Sequence, residues 1–444
     1  MDEMKIRQLH DEILQKVAEY YRLAHAPAQE NPFVPGETPV RYAGRLFDEK
    51  ELCNLVDSSL EFWLTYGRYS RQFEKQLAEY LNVRFALLVN SGSSANLLAF
   101  AALTSPLLGE RRICRGDEVI TVACGFPTTV APIVQYGAVP VFVDVEPDSV
   151  NLDPDLLEAA YSPKTKAVMA AHTLGNPFDI KRIKDFCDRH GLWLVEDNCD
   201  ALGSRYEGRF TGTWGDIGTS SFYPPHHMTM GEGGAVYTDD PLLKKIMLSI
   251  RDWGRDCWCE SGVDNTCGCR FSKQFGKLPV GYDHKYVYSH FGYNLKVSDM
   301  QAAVGCAQLE KFPGFVERRK ENFRRLYDGL HDLPQLRLQK AYPESDPSWF
   351  GLLMTLTDQA SFRRNDLAQH LESCRIQTRN LFAGNLLKHP CFDTLQEGVD
   401  FRVAGSLKHT DKIMNDALWI GVYPGMNEEK LDYMISVIRS FCGK

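Results

Sequence analysis

The chain has no excess of basic residues. Its 50 Lys+Arg are outnumbered by 58 Asp+Glu, for a formal charge of -8, so it presents no positive field to a phosphodiester backbone, and nucleic acid is not an expected partner. No apolar run reaches the roughly eighteen residues a membrane-spanning helix needs, so no membrane span is expected. Internal repeats and low-complexity tracts are absent, which excludes a solenoid. The N-terminus lacks the apolar centre of a secretion signal. Ile6, Leu9, Ile13, Leu14, Val17 and Tyr21 instead recur among charges at helical spacing, which predicts an amphipathic helix and a cytoplasmic protein.

What is present is an ordinary globular composition, 44% hydrophobic and 24% charged, in 444 residues, enough for a large domain and a smaller one. Residues 1–45 read as an N-terminal helix and a Pro/Gly-rich connector, 46–315 as a large domain and 316–444 as a small α+β domain. In the large domain, FALLV at 85–89, EVITVA at 118–123, VPVFVDV at 139–145, AVMAAH at 167–172 and LWLVED at 192–197 are separated by helix-length segments or turns. Near-continuous Val/Ile/Leu runs of this kind predict an α/β fold with a mainly parallel sheet buried on both faces. Ligands of such sheets sit beyond the carboxyl ends of the strands.

The residues just past those ends are chemically suggestive. Asn90-Ser91-Gly92-Ser93-Ser94 opens a helix with small residues and could seat a phosphate on free N–H groups, or simply cap the helix. Phe126 could stack on a flat heterocycle or belong to the core. Asp197 could hold the protonated nitrogen of a pyridine ring, or cap a helix in water.

The stretch Ser220-Ser221-Phe222-Tyr223-Pro224-Pro225-His226-His227-Met228-Thr229-Met230-Gly231-Glu232-Gly233-Gly234 resembles the signature of the DegT/DnrJ/EryC1/StrS sugar aminotransferase family of fold-type I pyridoxal-phosphate enzymes, in which a Schiff-base lysine precedes Gly-Glu-Gly-Gly. The likeness runs from about residue 41 to the C-terminus and includes GYNLKVSDMQAA at 292–303 and TRNLFAGN at 378–385. Here the lysine position holds His226, and no lysine occurs between Asp197 and Leu243. The resemblance therefore implies non-covalent pyridoxamine phosphate (the PLP/PMP cofactor pair) and dehydration in place of transamination, with His226 moving the proton. It places Gly92, Ser93 and Ser221 on the phosphate, Phe126 on the ring, Asp197 on its nitrogen, and Asn294 on the phosphate from the partner in a homodimer. Asp200 and Tyr223 match the subgroup's active-site pattern, and Arg379 belongs to the sugar-nucleotide pocket.

Of the 13 cysteines, most read as scattered buried thiols, but Cys257, Cys259, Cys267 and Cys269 crowd one polar segment. Taken in order, Cys199, 57 residues, Cys257, one residue, Cys259, seven residues and Cys267 resembles the ligand spacing of a [2Fe-2S] subgroup, the 4-keto-6-deoxyhexose 3-dehydratases. Cys269 could replace Cys267. A zinc site on Cys257, Cys259, Cys267 and Cys269, or free thiols, are the alternatives. This resemblance implies C3 deoxygenation of a nucleotide-linked keto sugar with electrons from an NADH-dependent flavin/iron-sulfur reductase. The expected substrate is CDP-4-keto-6-deoxy-D-glucose, on the path to 3,6-dideoxyhexoses of a lipopolysaccharide. A dTDP-4-keto-2,6-dideoxyhexose, a cluster-free GDP-sugar dehydratase that uses glutamate, and a non-catalytic sugar-nucleotide-binding protein are the alternatives.

Overall fold

The computed structural model describes residues 2–29, 32–259 and 262–443. The five apolar runs fold as β1 (Phe85–Val89), β2 (Glu118–Val122), β3 (Val139–Val143), β4 (Thr165–Ala171) and β5 (Trp193–Asp197). Two more strands, β6 (Ile217–Ser221) and β7 (Gly234–Thr238), are wholly buried. β6 reads IGTSS and holds a single aliphatic residue, so it escapes a search for apolar runs.

With Arg402–Val403 these strands form one eight-stranded sheet in the order β1-β7-β6-β5-β4-β2-β3-(402–403). From β6 to the 402–403 edge, neighbours run parallel. β7 is antiparallel to both β1 and β6. Residues 222–233, which link β6 to β7, contain no helix, and a chain that returns without a crossover must run antiparallel. Alternate residues feed cores on opposite faces: Val168, Ala170 and Leu194 on one, Ala167, Met169, Trp193 and Val195 on the other, as the two-residue strand period requires.

The helix Asp299–Leu330 is opened by a Ser298/Gln301 capping box and runs unbroken through residue 315, where the sequence suggests a domain boundary. It passes into a second core containing Leu326, Leu330, Met354, Ile420 and Ile438, built on a four-stranded antiparallel sheet of Leu336–Leu338, Gly351–Leu356, Ala417–Gly421 and Thr378–Arg379. The connector after the N-terminal helix is tied to this part of the chain, where Val40 bridges Ile376. The C-terminal region also returns Arg402–Val403 to the large sheet beside β3, so the chain crosses between the two cores more than once.

The N-terminal helix Asp2–Ala24 packs on Glu49–Glu61. Tyr21 is its buried residue, whereas Ile6 and Leu9 of the expected apolar face are exposed. Among the described residues no helix is long and apolar enough to cross a membrane.

Candidate active site

β1, β2, β4, β5 and β6 all point their carboxyl ends to one edge of the sheet, and the residues beyond those ends surround a single cavity of about 630 Å³. Of the residues the sequence singles out, Gly92, Ser93, Phe126, Asp197, Cys199, Asp200, Ser221, Tyr223, His226 and Arg379 line it. Asn294, Cys257, Cys259 and Cys267 do not.

One corner is a helix start. Gly92 begins the helix Gly92–Leu103, whose cap Ser91 accepts from the Ser94 N–H at 3.0 Å. A Cβ at Gly92 would sit 2.4 Å from Ser221 Cβ and 3.1 Å from Cys199 Sγ, so only glycine lets β6 approach the helix so closely. A Cβ at Gly234 would likewise sit 2.4 Å from the Ser91 carbonyl. Gly92, Ser93 and Ser221 thus converge where helix N–H groups and their dipole favour an anion such as a phosphate.

Asp197, 4% exposed, is clamped beside the same helix. Its Oδ2 accepts from Asn96 Nδ2 and from Thr129 Oγ1, each at 2.7 Å, and Asn96 Oδ1 accepts from Thr219 Oγ1 at 2.7 Å. A buried carboxylate held by neutral donors keeps its charge available for a cationic ring nitrogen. Phe126, half-exposed to the cavity, is braced edge-on by Phe382 at 5.7 Å. Phosphate seat, aromatic platform and carboxylate therefore suit a phosphorylated pyridine.

His226 sits on the turn after β6. Phe222 anchors this turn in the core, pairing N–H to Gly233 O and C=O to Met230 N–H, both at 2.9 Å, and the His226 N–H donates to Tyr223 O at 2.9 Å. The imidazole packs against Phe350, ring centres 5.3 Å apart. Its Nδ1 is buried without a hydrogen-bond partner. Asp200 Oδ1 lies 3.6 Å from it, too far for a direct bond.

Burial pushes the His226 imidazole down to about 4, against the pull of the Asp197 charge. Burial and then the Asp197 charge push the Asp200 carboxyl up to about 8, although the Leu174 N–H and Arg319 pull the other way. At neutral pH the cavity therefore holds a neutral imidazole beside a largely protonated carboxyl. The adjacent His227 is spent on structure, with Nε2 2.7 Å from Ser348 O. Tyr223 stands half-exposed at the rim.

The far wall comes from residues distant in sequence: Tyr42, Phe350, Asn380 and Trp419. Arg379 lays its guanidinium over the Tyr42 ring at 4.0 Å. Arg319, in the long helix Asp299–Leu330, is 2% exposed and donates to the backbone carbonyls of Trp349 and His226 at 3.1 and 3.2 Å. The contact of Asn96 and Thr129 with Asp197 joins three separate elements and has no local signal in the sequence. Asn294 is exposed and lies outside its own chain's cavity.

Of the four expected cluster cysteines, Cys257, Cys259 and Cys267 have their thiols in contact with one another, whereas Cys199 lies elsewhere. Cys199 lines the cavity beside Gly92. Among the described residues, the donor atoms lying within 4.8 Å of one another in a group of three or more are those of Cys257, Cys267 and His284. Cys259 contributes its N–H to Cys257 Sγ at 3.5 Å, and its own Sγ accepts from Thr266 Oγ1 at 3.0 Å. The reason is topological: Cys199 follows β5 inside the large sheet, whereas the other three belong to the irregular excursion between the helices Pro241–Arg251 and Asp299–Leu330. Cys199 is thus the member of the expected set that lies in a different part of the fold from the other three.

A sequence model of the DegT/DnrJ/EryC1/StrS aminotransferase family matches residues 47–439. The chain is 53% identical over 441 residues, 99% of each chain, to the lipopolysaccharide biosynthesis protein RfbH of Salmonella typhimurium. It is 51% identical over 434 residues, 98% of this chain and 92% of the other, to the dTDP-4-dehydro-2,6-dideoxy-D-glucose 3-dehydratase of Saccharopolyspora spinosa. Its fold superimposes with a TM-score of 0.80 on the E. coli GDP-4-keto-6-deoxy-D-mannose-3-dehydratase with bound hydrated PLP, at 29% identity, covering 90% of this chain and 99% of that one.

Proposed function

Because this chain belongs to the DegT/DnrJ/EryC1/StrS aminotransferase family and has the fold-type I architecture, we propose that it removes the C3 hydroxyl of a nucleotide-linked 4-keto-6-deoxyhexose, CDP-4-keto-6-deoxy-D-glucose. The observation that carries this reading is the buried, unpartnered Nδ1 of His226, at the turn where aminotransferases of the family keep a lysine.

Pyridoxamine phosphate, when bound, supplies an amine that condenses with a sugar ketone and a ring that draws off electron density. This chain's residues supply the rest. Gly92, Ser93 and Ser221 hold the phosphate at the helix start, Phe126 supports the ring face, and Asp197 keeps the ring nitrogen protonated. His226, neutral at working pH, accepts a proton at Nδ1, and without an amine in its place the cofactor is not tethered.

Asp200, protonated near neutrality, donates toward the departing hydroxyl, and Tyr223 orients the sugar from the rim. Arg379 on Tyr42 offers a cation to the diphosphate. Asn294 completes the phosphate seat of the partner in a homodimer.

The reductive half of the reaction assigns a [2Fe-2S] cluster to Cys199, Cys257, Cys259 and Cys267 and an NADH-dependent flavin/iron-sulfur reductase as donor. It is supported by the order and spacing of the cysteines, and none of the residue roles above depends on it. The similarity to a dTDP-sugar dehydratase favours dTDP-4-keto-2,6-dideoxyhexose as the second substrate reading, and the similarity to a lipopolysaccharide protein favours the CDP sugar.

The test is incubation of the full chain, pyridoxamine phosphate and an NADH-driven flavin/iron-sulfur reductase as electron donor with each nucleotide sugar, scoring loss of the C3 hydroxyl by NMR. Turnover of the CDP sugar with little of the dTDP sugar supports the first reading, and the reverse preference replaces it with the second. Cofactor binding with no turnover of either would leave a sugar-nucleotide-binding protein.

A further inference from the structure

The far wall of the cavity is a continuous run of rings that starts at the proposed base. Phe350 lies 5.3 Å from His226, Trp419 lies 5.4 Å from Phe350, and Tyr42 lies 5.4 Å from Trp419, centre to centre. The Arg379 guanidinium closes the run, 4.0 Å over the Tyr42 ring.

Backbone contacts fix these rings. Gly351 and Gly421 are paired across neighbouring strands. A Cβ at Gly351 would sit 2.4 Å from Trp419 Cε3, and one at Gly421 would sit 2.0 Å from Tyr42 O, so glycine alone permits both approaches. The Phe350 N–H donates to Leu174 O at 2.8 Å. Trp419 spends its indole N–H on Asn380 O at 3.0 Å, and Phe350 has no polar atom. Neither ring therefore has a hydrogen bond left for a ligand. A hydroxyl pressed against this pair loses water without replacement, whereas a methyl gains by leaving water.

On the sugar-nucleotide reading, the sugar is held at two points, by its ketone in front of His226 and by its diphosphate at Arg379. The run of rings spans the interval between them, so the sugar lies along it. The one purely apolar substituent of a 4-keto-6-deoxyhexose is its C6 methyl. Stacking of the sugar's C–H face on a ring is the competing arrangement. It needs an open ring face, but Phe350 and Trp419 are inclined at 49°, Trp419 and Tyr42 at 81°, and Trp419 is 2% exposed. Rings so inclined form a notch, which receives a small group.

We propose that Phe350 and Trp419, backed by Tyr42, seat the C6 methyl and make the site select 6-deoxy over 6-hydroxy nucleotide sugars. The inference rests on the sugar-nucleotide reading of the cavity and not on the dehydration step.

The test is calorimetric titration of the full chain, saturated with pyridoxamine phosphate, with two pairs of ligands: CDP-6-deoxyglucose against CDP-glucose, and dTDP-6-deoxyglucose against dTDP-glucose. These sugars lack the ketone and only bind, and each pair differs by one hydroxyl at C6. In the pair whose nucleotide is accepted, the 6-deoxy sugar should bind roughly 10- to 100-fold more tightly, the range an apolar pocket reaches against an added hydroxyl. Trp419→Phe and Phe350→Leu should each reduce that preference by about fourfold, one methylene's worth of apolar contact, with pyridoxamine phosphate still bound. Equal affinity within a pair in the unaltered protein, variants that weaken both members equally as a lost stacking face would, or no binding of either pair would each overturn the proposal. A 6-deoxy preference in a chain that dehydrates neither 4-keto sugar would uphold the methyl seat and sink the dehydratase reading, so the two failures are distinguishable.

Discussion

Arg319 Nη2 donates to the backbone carbonyl of His226 at 3.2 Å, tying the long helix that joins the two cores to the turn carrying the proposed base. The same guanidinium holds Trp349 O at 3.1 Å, and its charge opposes the rise of the Asp200 pKa. One buried cation thus positions the histidine turn and sets the field beside it.

Arg319→Met should therefore destabilise the fold by about 2–4 kcal/mol, the scale of losing charge-assisted hydrogen bonds to buried carbonyls. Arg319→Lys should recover only part, because an ammonium lacks the planar fork that serves two acceptors. Urea unfolding reads this directly, and unchanged midpoints in both variants would show that the turn holds itself.

His226→Lys should create a covalent adduct with pyridoxal phosphate, seen in the visible spectrum, and lower dehydration by at least ~100-fold, the contribution of a positioned general base. Dehydration at the unaltered rate would remove His226 from that role.

Gly92→Ala should push β6 away from the helix start, since the new methyl would lie 2.4 Å from Ser221 Cβ. We expect a cost of about 1–3 kcal/mol for the forced contact and cofactor affinity weakened at least tenfold. Fluorescence titration with pyridoxamine phosphate checks it, and wild-type affinity would argue against a phosphate at this corner.

Thr129→Val removes one of two donors to Asp197 Oδ2 at nearly constant volume. Each hydrogen bond to a charged group contributes about 1.5–3 kcal/mol, part of which should appear as cofactor affinity reduced roughly tenfold with the fold intact.

The pH dependence of the cofactor-free protein should be set by Asp200 and His226. The Asp200 carboxyl, pushed up to about 8 from 3.8, holds a proton that the unfolded chain releases, so its stability contribution is present below about 4 and is lost as pH rises toward 8. His226, pushed down to about 4 from 6.5, does the reverse: its contribution is present above 6.5 and is lost as pH falls toward 4. The two oppose each other below about 6.5. Between about 6.5 and 8 the Asp200 loss runs against the Cys259 thiol, which is lowered to about 6 from 9.0 and stabilises as pH rises, so the wild-type unfolding midpoint should fall relative to that of Asp200→Asn across that interval. A slope unchanged by Asp200→Asn would assign it to another group.

The apolar runs at 85–89, 118–122 and 139–143 were legible because strands buried on two faces admit little besides Val, Ile, Leu and Ala. Gly92, Ser221 and His226 were legible because each lies within a short contiguous motif whose local geometry is its chemistry. β6 was not, because IGTSS is buried by its neighbours and not by its own hydrophobicity. Arg319 was not, because a guanidinium in a charged helix carries no mark of whether it faces water or two carbonyls.

The sequence alone determined the α/β architecture, the cavity edge where chemistry gathers and the residue types found there, since periodicity and local motifs act over a few residues. The tertiary structure alone decided which groups meet across those distances. It clamps Asp197 between Asn96 and Thr129, leaves His226 Nδ1 without a partner beside a protonated Asp200, and brings Cys257, Cys259 and Cys267 together while Cys199 stays in the cavity. Contact between remote residues follows from strand order and helix packing, which chain spacing does not encode.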